Sequence, residues 1–319
     1  MRWADAQPRG ADTQPVTPES SDPLAPPPAL RRRLATLDLV PAAARWSLPG
    51  GGRTSRVFIA RGAYRSVVVK LARRQRGGPH FALDPVAEFR TLRDLALLGL
   101  TPVPLGHLAF GMDHCLVYRH VPGVSLRTAS PDLARVLGAL HGLPTGQWPR
   151  GLSRRPTFSL TLLARARSHL ASQGWPERAL CHVQCLAASE PTGSPRLVHG
   201  DPVPANALAG PTGLVLIDWA SVHLGDPARD LAIALSPAMH TVYGNGPPAP
   251  ATITAFLDAC PDRYFPDRFR RLAPAFHLQM IGHCLWRIER GAKEYSAALA
   301  AETRALRDVL QVPVRQAIR

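Results

Sequence analysis

Two short stretches decide the fold: LVHGDPVPAN at residues 197–206 and LIDW at residues 216–219. Each begins with an apolar run that is typical of a short buried strand. Each then delivers a carboxylate, Asp201 in the first stretch and Asp218 in the second, and Asn206 lies in the loop between them. Strand ends hold side chains more firmly than free loops do. The pattern therefore predicts a site and not merely two turns.

The residue types in this pattern are those that phosphoryl transfer from ATP requires. The reaction needs a carboxylate that orients the attacking hydroxyl and accepts its proton, oxygen ligands for Mg²⁺, and cations on the donor phosphates. Asp201 suits the first task, and Asn206 and Asp218 suit the second. Asp and Asn are also common turn residues. The ordered combination of the two motifs beside apolar strands favours the site.

Lys70 is one of only two lysines in a chain with 38 basic residues, and it ends the apolar run SVVVK. A lysine in a buried strand needs an acidic partner. Glu88, early in the following helix, is the natural partner, and Asp84 and Asp94 are alternatives in the same stretch. We expect Lys70, held by Glu88, to bind the phosphates of the nucleotide.

A glycine-rich turn, GGGRTS at residues 50–55, precedes the first predicted strand. Such a turn lets backbone N–H groups approach phosphates closely. Gly51, Gly52 and Ser55 are therefore candidate nucleotide contacts. Glycine runs are usually only turns, so the interpretation depends on Lys70 following at a suitable distance.

The chain divides into three regions by composition. Residues 1–30 are rich in Pro, Ala, Asp and Ser and are predicted to be a disordered tail. Residues 31–121 predict a hairpin, a helix opened by Pro85 and a further strand, and residues 122–319 are mostly helical apart from the strands beside the site. An α+β fold follows, with a small antiparallel sheet before a helical part.

Composition restricts the remaining possibilities. The hydrophobic fraction is 45%, no apolar run approaches the roughly 18 residues that span a bilayer, and the N-terminus lacks the apolar core of a secretory signal. We therefore expect a cytoplasmic protein without a membrane partner.

The net charge of +15 suggests nucleic-acid binding as a further possibility. This possibility is disfavoured because the arginines are spread along the chain. Cys181 and Cys185 bracket a histidine, but their spacing favours a shared helix face, packed as small apolar side chains, over a metal site.

At these residues the chain resembles the aminoglycoside phosphotransferase and choline kinase-like family, a branch of the protein-kinase-like fold. The resemblance rests on HGD-x4-N at 199–206, on IDW at 217–219 followed by GDP at 225–227 and DLA at 230–232, on ALH at 139–141, and on the hinge-like stretch 116–123. It implies a bilobal α+β fold, with a nucleotide-binding N-terminal lobe over residues 31–121 and a helical catalytic and acceptor-binding lobe over 122–319.

The resemblance also implies site roles. The adenine would bond main-chain atoms near Arg119 and Val121, and Asp226 and Asp230 would brace the catalytic loop and the following helix. The expected function is an ATP- and Mg²⁺-dependent kinase that phosphorylates a hydroxyl of a small molecule, such as an antibiotic, a sugar or an amino alcohol.

Two departures from the family pattern keep an alternative open. Pro202 and Val203 replace the residues that usually follow the catalytic Asp. A catalytically weak, kinase-like nucleotide-binding or regulatory protein is therefore the second hypothesis. From Leu231 onward the chain contains seven acidic residues and eleven Lys or Arg. A neutral or anionic acceptor therefore fits the sequence as well as a polycationic one.

Overall fold

The computed structural model describes residues 24–49, 55–72, 84–189 and 194–311. The first part of the chain forms a five-stranded antiparallel sheet in the order β1-β2-β3-β5-β4. Its strands are β1 (Arg45–Ser47), β2 (Arg56–Arg61), β3 (Ser66–Ala72), β4 (Pro104–Phe110) and β5 (Asp113–Arg119). The predicted hairpin is β2–β3, paired from Arg56↔Leu71 to Arg61↔Ser66. The β-branched residues of β3 suit a strand that is buried at six of its seven positions.

One helix covers each face of this sheet. Helix α1 (Pro28–Thr36) buries Leu30 and Leu34 against one face. Helix α2 (Pro85–Leu95) packs Leu92 and Leu95 on the other, facing the site. The Asp84 carboxylate caps α2 by accepting from the amides of Val86 and Ala87. Gly99 ends the short 3-10 turn after α2 in the left-handed conformation, at φ +70°.

The second part of the chain is mostly helical. Its helices are α3 (Pro131–His141), α4 (Leu160–Ser172), α5 (Glu177–Ser189), α6 (Pro227–Ala234), α7 (Pro237–Val242), α8 (Pro250–Asp258), α9 (Tyr264–Ile288) and α10 (Tyr295–Leu310). Two small antiparallel sheets lie among them. One contains β6 (Val124–Ser125), β8 (Ala207–Gly210) and β9 (Gly213–Leu216), and the other pairs β7 (Arg196–Val198) with β10 (His223–Gly225). These sheets carry the two stretches that contain Asp201 and Asp218.

Helix α9 is the centre of the helical part. It buries one side against α4, where Gly282 lies so close to the Leu162 carbonyl that an added Cβ would stand 2.1 Å from that oxygen. Helix α6 packs beside it through Ala228, which shares a core cluster with Leu272, Ala275 and Phe276 of α9. The segment that starts at Asp218 runs through β10 into α6. The packing of α6 in the helical core therefore fixes the end of this segment.

The α+β architecture agrees with the expectation from the sequence, with three differences. Helix α1 starts at Pro28, inside the predicted tail, because Leu30 is fully buried against the sheet; residues 1–23 lie outside the described part. Strands β1, β4, β6, β8 and β10 were not predicted. Cys181 and Cys185 are both exposed on α5, so the expectation of apolar packing for them is wrong. No helix in the described ranges is long and apolar enough to cross a membrane.

Candidate active site

The loop after β7 turns sharply at Gly200, which has φ +84°. A Cβ on Gly200 would stand 2.2 Å from the Ser221 carbonyl oxygen and 3.1 Å from the His223 ring. Any larger residue would clash there and would also be strained by the left-handed backbone. Gly200 therefore lets the loop that carries Asp201 pack directly against the segment that follows Asp218.

Asp230, on α6, holds this loop from beneath. Its Oδ2 accepts from the His199 amide at 2.8 Å and its Oδ1 from the Gly200 amide at 2.9 Å. The same Oδ2 accepts from His141 Nε2 at 3.0 Å. Burial acts to raise the pKa of Asp230, but the hydrogen bonds that it accepts, above all the one from His141, outweigh burial, so the pKa is lowered and the group is ionised. A buried carboxylate thus fixes two consecutive backbone amides next to Asp201.

His199 connects the two stretches quoted above. Its Nε2 lies 3.1 Å from the Ile217 carbonyl and its ring packs on Trp219, with centroids 4.5 Å apart. The Asp201 amide points at His199 Nδ1 from 3.3 Å. Nδ1 then accepts and Nε2 donates, which is the neutral ring. Burial lowers the pKa of His199, in agreement with that assignment.

Asp201 and Asn206 are in contact. Asn206 Nδ2 donates to the Asp201 carbonyl at 2.9 Å and lies 3.4 Å from Asp201 Oδ2. The other carboxylate oxygen, Asp201 Oδ1, is buried and has no hydrogen-bond partner among the described residues. Burial raises the pKa of Asp201 to about 8, and the neighbouring carboxylates of Asp218 and Asp230 add to this effect.

Lys70 joins the sheet to the Asp218 loop. Its Nζ lies 2.8 and 2.9 Å from the two Glu88 oxygens and 2.6 Å from Asp218 Oδ1. Burial acts to lower the pKa of Lys70, but the Asp218 and Glu88 carboxylates outweigh it and the pKa is raised, so the ammonium stays charged. Glu88 is only 1% exposed and uses both oxygens on Lys70, so it positions the lysine from behind and has no free atom for a ligand. Asp84 caps α2, and Asp94 pairs with Arg93.

Asp218 itself adopts φ +62° and ψ +60°, a left-handed conformation that is uncommon for residues other than glycine. Such strain persists where the surroundings over-determine it and is frequent at functional sites. Here the surroundings include Ile217, whose amide donates to the Asn206 carbonyl at 2.8 Å. This bond brings Asn206 and the Asp218 loop side by side.

The predicted nucleotide contacts have mixed outcomes. The Arg119 amide donates to the Val103 carbonyl at 2.8 Å, so Arg119 has only its carbonyl left for an adenine. Val121 lies two residues beyond the end of this strand, and its role stays a prediction. The Ser55 hydroxyl is buried without a hydrogen-bond partner in the described part of the chain. Gly51 and Gly52 lie outside the described residues.

A second buried network supports the start of α6. Asp226 caps this helix through the Ala228 amide at 3.0 Å and accepts from Thr157 Oγ1 at 3.0 Å. Its Oδ2 also accepts from Arg268 Nε of α9 at 2.8 Å, with both side chains 2% exposed. The pairing explains why a fully buried arginine is tolerated. It ties α9 to the helix that carries Asp230.

Sequence reasoning did not identify the contributions of His199 and Arg268. Both side chains act through partners more than 15 positions away in the sequence, Ile217 for His199 and Asp226 for Arg268. His141 was noted only as part of the ALH motif, and its bond to Asp230 spans 89 positions. For His141 and Arg268 the sequence signal was a polar residue on a largely apolar helix face. Such a residue indicates no particular role until its partner is known.

Comparison with known proteins defines the class. Residues 45–272 match the model of the phosphotransferase enzyme family, APH. Because this match covers more than half of the chain, the protein belongs to that family. No curated protein sequence matches the chain.

Solved structures share the fold. A choline/ethanolamine kinase family protein from Mesorhizobium loti is 18% identical, with a TM-score of 0.61, 89% of this chain covered and 95% of that one. A spectinomycin phosphotransferase in complex with ADP and spectinomycin is 14% identical, with a TM-score of 0.57 and coverage of 84% and 92%. An aminoglycoside-3'-phosphotransferase of type VIII is 25% identical, with a TM-score of 0.51 and coverage of 78% and 96%. The bilobal kinase-like fold expected from the sequence is thereby confirmed.

Proposed function

We propose that this protein is a Mg²⁺- and ATP-dependent kinase that transfers the γ-phosphate to a hydroxyl of a small molecule. The observation that carries the proposal is the state of Asp201. Its Oδ1 is buried and has no hydrogen-bond partner among the described residues, while Asn206 holds the rest of the residue in place. A substrate hydroxyl is the donor that such an oxygen requires.

Each residue has a role that follows from its contacts. In its ionised form Asp201 orients the acceptor hydroxyl and takes its proton, and the raised pKa makes this carboxylate a stronger base than an ordinary aspartate. Gly200 and Asp230 fix its backbone. Lys70 supplies the cation for the donor phosphates, and Glu88 holds the ammonium beside Asp218.

The oxygen donors present fit Mg²⁺. Asn206 turns its Nδ2 toward Asp201, which directs Oδ1 away from that residue, and the Asp218 side chain is 35% exposed. Hard carboxylate and amide oxygens are the ligands that Mg²⁺ accepts. When bound, the ion supplies charge neutralisation on the transferring phosphoryl group.

The acceptor is open between several classes of hydroxyl compound. Neighbours in fold include a spectinomycin phosphotransferase and a choline/ethanolamine kinase family protein. Four of the seven acids after Leu231 are engaged by side chains of the helical part: Asp258, Asp267 and Glu289 in ion pairs with arginines, and Glu302 in a hydrogen bond with His277. This engagement leaves few carboxylates to receive a polycation, so neutral and anionic acceptors belong in any screen.

The decisive experiment measures γ-phosphate transfer from ATP with Mg²⁺ over aminoglycosides, amino alcohols, sugars and nucleosides. With the acceptor found, Asp201→Asn is expected to lower kcat by about 10²–10⁴-fold, the usual contribution of general base catalysis. ATP binding is expected to persist, because Lys70 and Asp218 are unchanged. The exposed Asp308→Asn is the matched control. Full turnover by Asp201→Asn would show the assigned mechanism to be wrong.

The same assay separates the alternative of a weak, kinase-like binding protein. That alternative predicts Mg²⁺-dependent ATP binding with no hydrolysis or transfer that any acceptor stimulates. The departures Pro202 and Val203 do not favour it, because Val203 is fully buried in an apolar cluster with Ile233 and Met280. The contact of Asp201 with Asn206 is preserved beside them.

A further inference from the structure

The outer face of α5 presents two thiols to solvent. Cys181 and Cys185 are free and exposed, whereas the other three cysteines of the chain are buried. The inner face of the helix packs in the helical core through Leu180 and Val183, which are both fully buried. Free cysteine is among the residues most often found inside proteins. A pair of exposed cysteines one helical turn apart is therefore unusual, and packing does not explain it.

The Cys181 sulfur lies between two charged groups. Its Sγ donates a hydrogen bond to Glu177 Oε1 at 3.5 Å, and Arg167 Nη2 of α4 lies 3.8 Å from the same sulfur. Arg167 also pairs with the Glu177 carboxylate. The guanidinium is therefore in place to stabilise negative charge on the sulfur once the thiol loses its proton. Cys185 follows on the same face, one turn further along the helix.

The spacing of the two thiols decides what can join them. Side chains four positions apart on a helix have their Cβ atoms about 5–6 Å apart, whereas a disulfide requires about 3.5–4.5 Å. A direct S–S bond between Cys181 and Cys185 would therefore distort α5. One bridging metal ion removes this difficulty, because two metal–sulfur bonds of about 2.3 Å span roughly 4.6 Å when they are in line. The spacing favours a bridging ion over a disulfide.

The choice of ion follows from the softness and the number of the ligands. Thiolates select soft ions, Cu(I) and Zn²⁺ among them. A structural zinc site takes four protein ligands. Among the described residues, however, no group of three or more His, Cys, Asp and Glu side chains is arranged to hold a metal. Cu(I) fits the two thiols because it forms stable two-coordinate complexes with thiolates.

Oxidative sensing is the competing role for an exposed thiol pair. Redox-sensing cysteines have a lowered pKa, which keeps the reactive thiolate populated. At Cys181 the hydrogen bond to the Glu177 carboxylate instead raises the pKa of the thiol. Since the spacing also disfavours a disulfide, metal binding is the better-supported role.

We propose that Cys181 and Cys185 form a solvent-facing site for one Cu(I) ion, held between the two sulfurs. Each S–Cu bond forms as its thiol releases a proton to water, so binding frees two protons per ion and transfers no electron. The resulting bis-thiolate complex carries one negative charge, which Arg167 offsets. The site shares no residue with the network of Asp201 and Lys70, so it does not depend on the proposed function.

The test titrates Cu(I) into the full chain in the absence of oxygen, in competition with the chromogenic ligand bicinchoninate. We expect one Cu(I) per chain, an ultraviolet thiolate-to-copper absorption, release of two protons per ion, and protection of both exposed thiols from Ellman's reagent. Cys181→Ser and Cys185→Ser each leave a single thiolate. We therefore expect the affinity of either variant to fall by about 10²–10⁴-fold, the usual gain from linking two binding groups.

Moving one thiol tests the spacing. Ala188 is exposed on the same helix, so the double variant Cys185→Ser with Ala188→Cys keeps two exposed thiols on one face. They are then separated by seven positions, about 10 Å along the helix axis, which one ion cannot span. We expect this variant to bind Cu(I) as weakly as Cys185→Ser does, with the far-ultraviolet circular dichroism of the wild type.

Four results would overturn the proposal. They are wild-type affinity in either single variant, wild-type affinity in the variant with the moved thiol, joining of two chains by copper into a dimer seen by light scattering, and closure of a disulfide between Cys181 and Cys185 when the folded chain is mildly oxidised.

Discussion

Replacing Asp230 by Asn tests how the loop that carries Asp201 is held. The carboxylate accepts three hydrogen bonds, from His199 N, Gly200 N and His141 Nε2. An amide has one acceptor oxygen, and the least costly placement puts it at the Oδ2 position, where two of the donors remain satisfied. The NH₂ group then faces the Gly200 N–H at the 2.9 Å position, donor against donor.

The magnitude follows from these contacts. One charge-assisted bond is lost, which costs about 1.5–3 kcal/mol, and the buried Gly200 amide is left without a partner. We expect the free energy of unfolding to fall by about 2–4 kcal/mol. Since the loop shifts beside Asp201, kcat should fall about 10–100-fold, the effect of a displacement of about 1 Å at a reacting group. ATP affinity should change little, because Lys70 is held by Glu88 and Asp218.

Urea denaturation and steady-state kinetics of Asp230→Asn, with Asp308→Asn as the surface control, check both effects. The reasoning is refuted if Asp230→Asn stays within about 0.5 kcal/mol of wild-type stability, the range of ordinary surface substitutions, and keeps wild-type kcat. Loss of stability alone, with kcat intact, would limit Asp230 to a folding role.

Three further outcomes follow from the site. Lys70→Met removes the cation and leaves Glu88 buried without its partner, so we expect loss of ATP binding by calorimetry and a stability loss of about 3–5 kcal/mol by denaturation; unchanged ATP affinity would contradict the assigned role. Gly200→Ala forces a Cβ against the Ser221 carbonyl, and we expect loss of activity with a stability cost of at least about 1–2 kcal/mol; an active, equally stable variant would disprove the close approach. Burial lowers the pKa of His223 from 6.5 to about 3. The unfolded chain therefore binds this proton at a higher pH than the folded protein does, and the free energy of unfolding falls by about 1.4 kcal/mol per pH unit as the pH drops from 6.5 toward 3. In urea denaturation across that range, His223→Asn should lose this contribution to the pH dependence of stability.

Much of the candidate site could be predicted from the sequence because most of its residues lie close together along the chain. Asp201 and Asn206 lie five positions apart in one loop, and Asp218 follows the next strand. Lys70 stood out because lysine is rare in this chain and because an apolar strand surrounds it. Glu88 was favoured over Asp84 and Asp94 by its place on the helix, and the structure pairs Lys70 with it at 2.8 Å. The second partner of Lys70, Asp218, lies 148 positions away and was not anticipated.

The short strands show where sequence reasoning fails. Strands β6 and β10 have two and three residues, too few to display a period, and they exist because β8 and β7 offer backbone partners. Helix α1 begins within a proline-rich stretch that reads as disordered, because the sheet face above it buries Leu30 and Leu34. In both cases packing against distant residues outweighs local composition.

The sequence by itself predicted phosphoryl transfer, since donors and acceptors of the kind that this reaction needs occur in short motifs beside apolar strands. Tertiary structure alone decided how those groups are held. His141 meets Asp230 across 89 positions, Arg268 meets Asp226 across 42, and only folding joins them into the support beneath Gly200 and Asp201. The physical reason is that buried charges need partners at hydrogen-bond distance, and which partners come within that distance is set by helix packing, which leaves no local trace in the sequence.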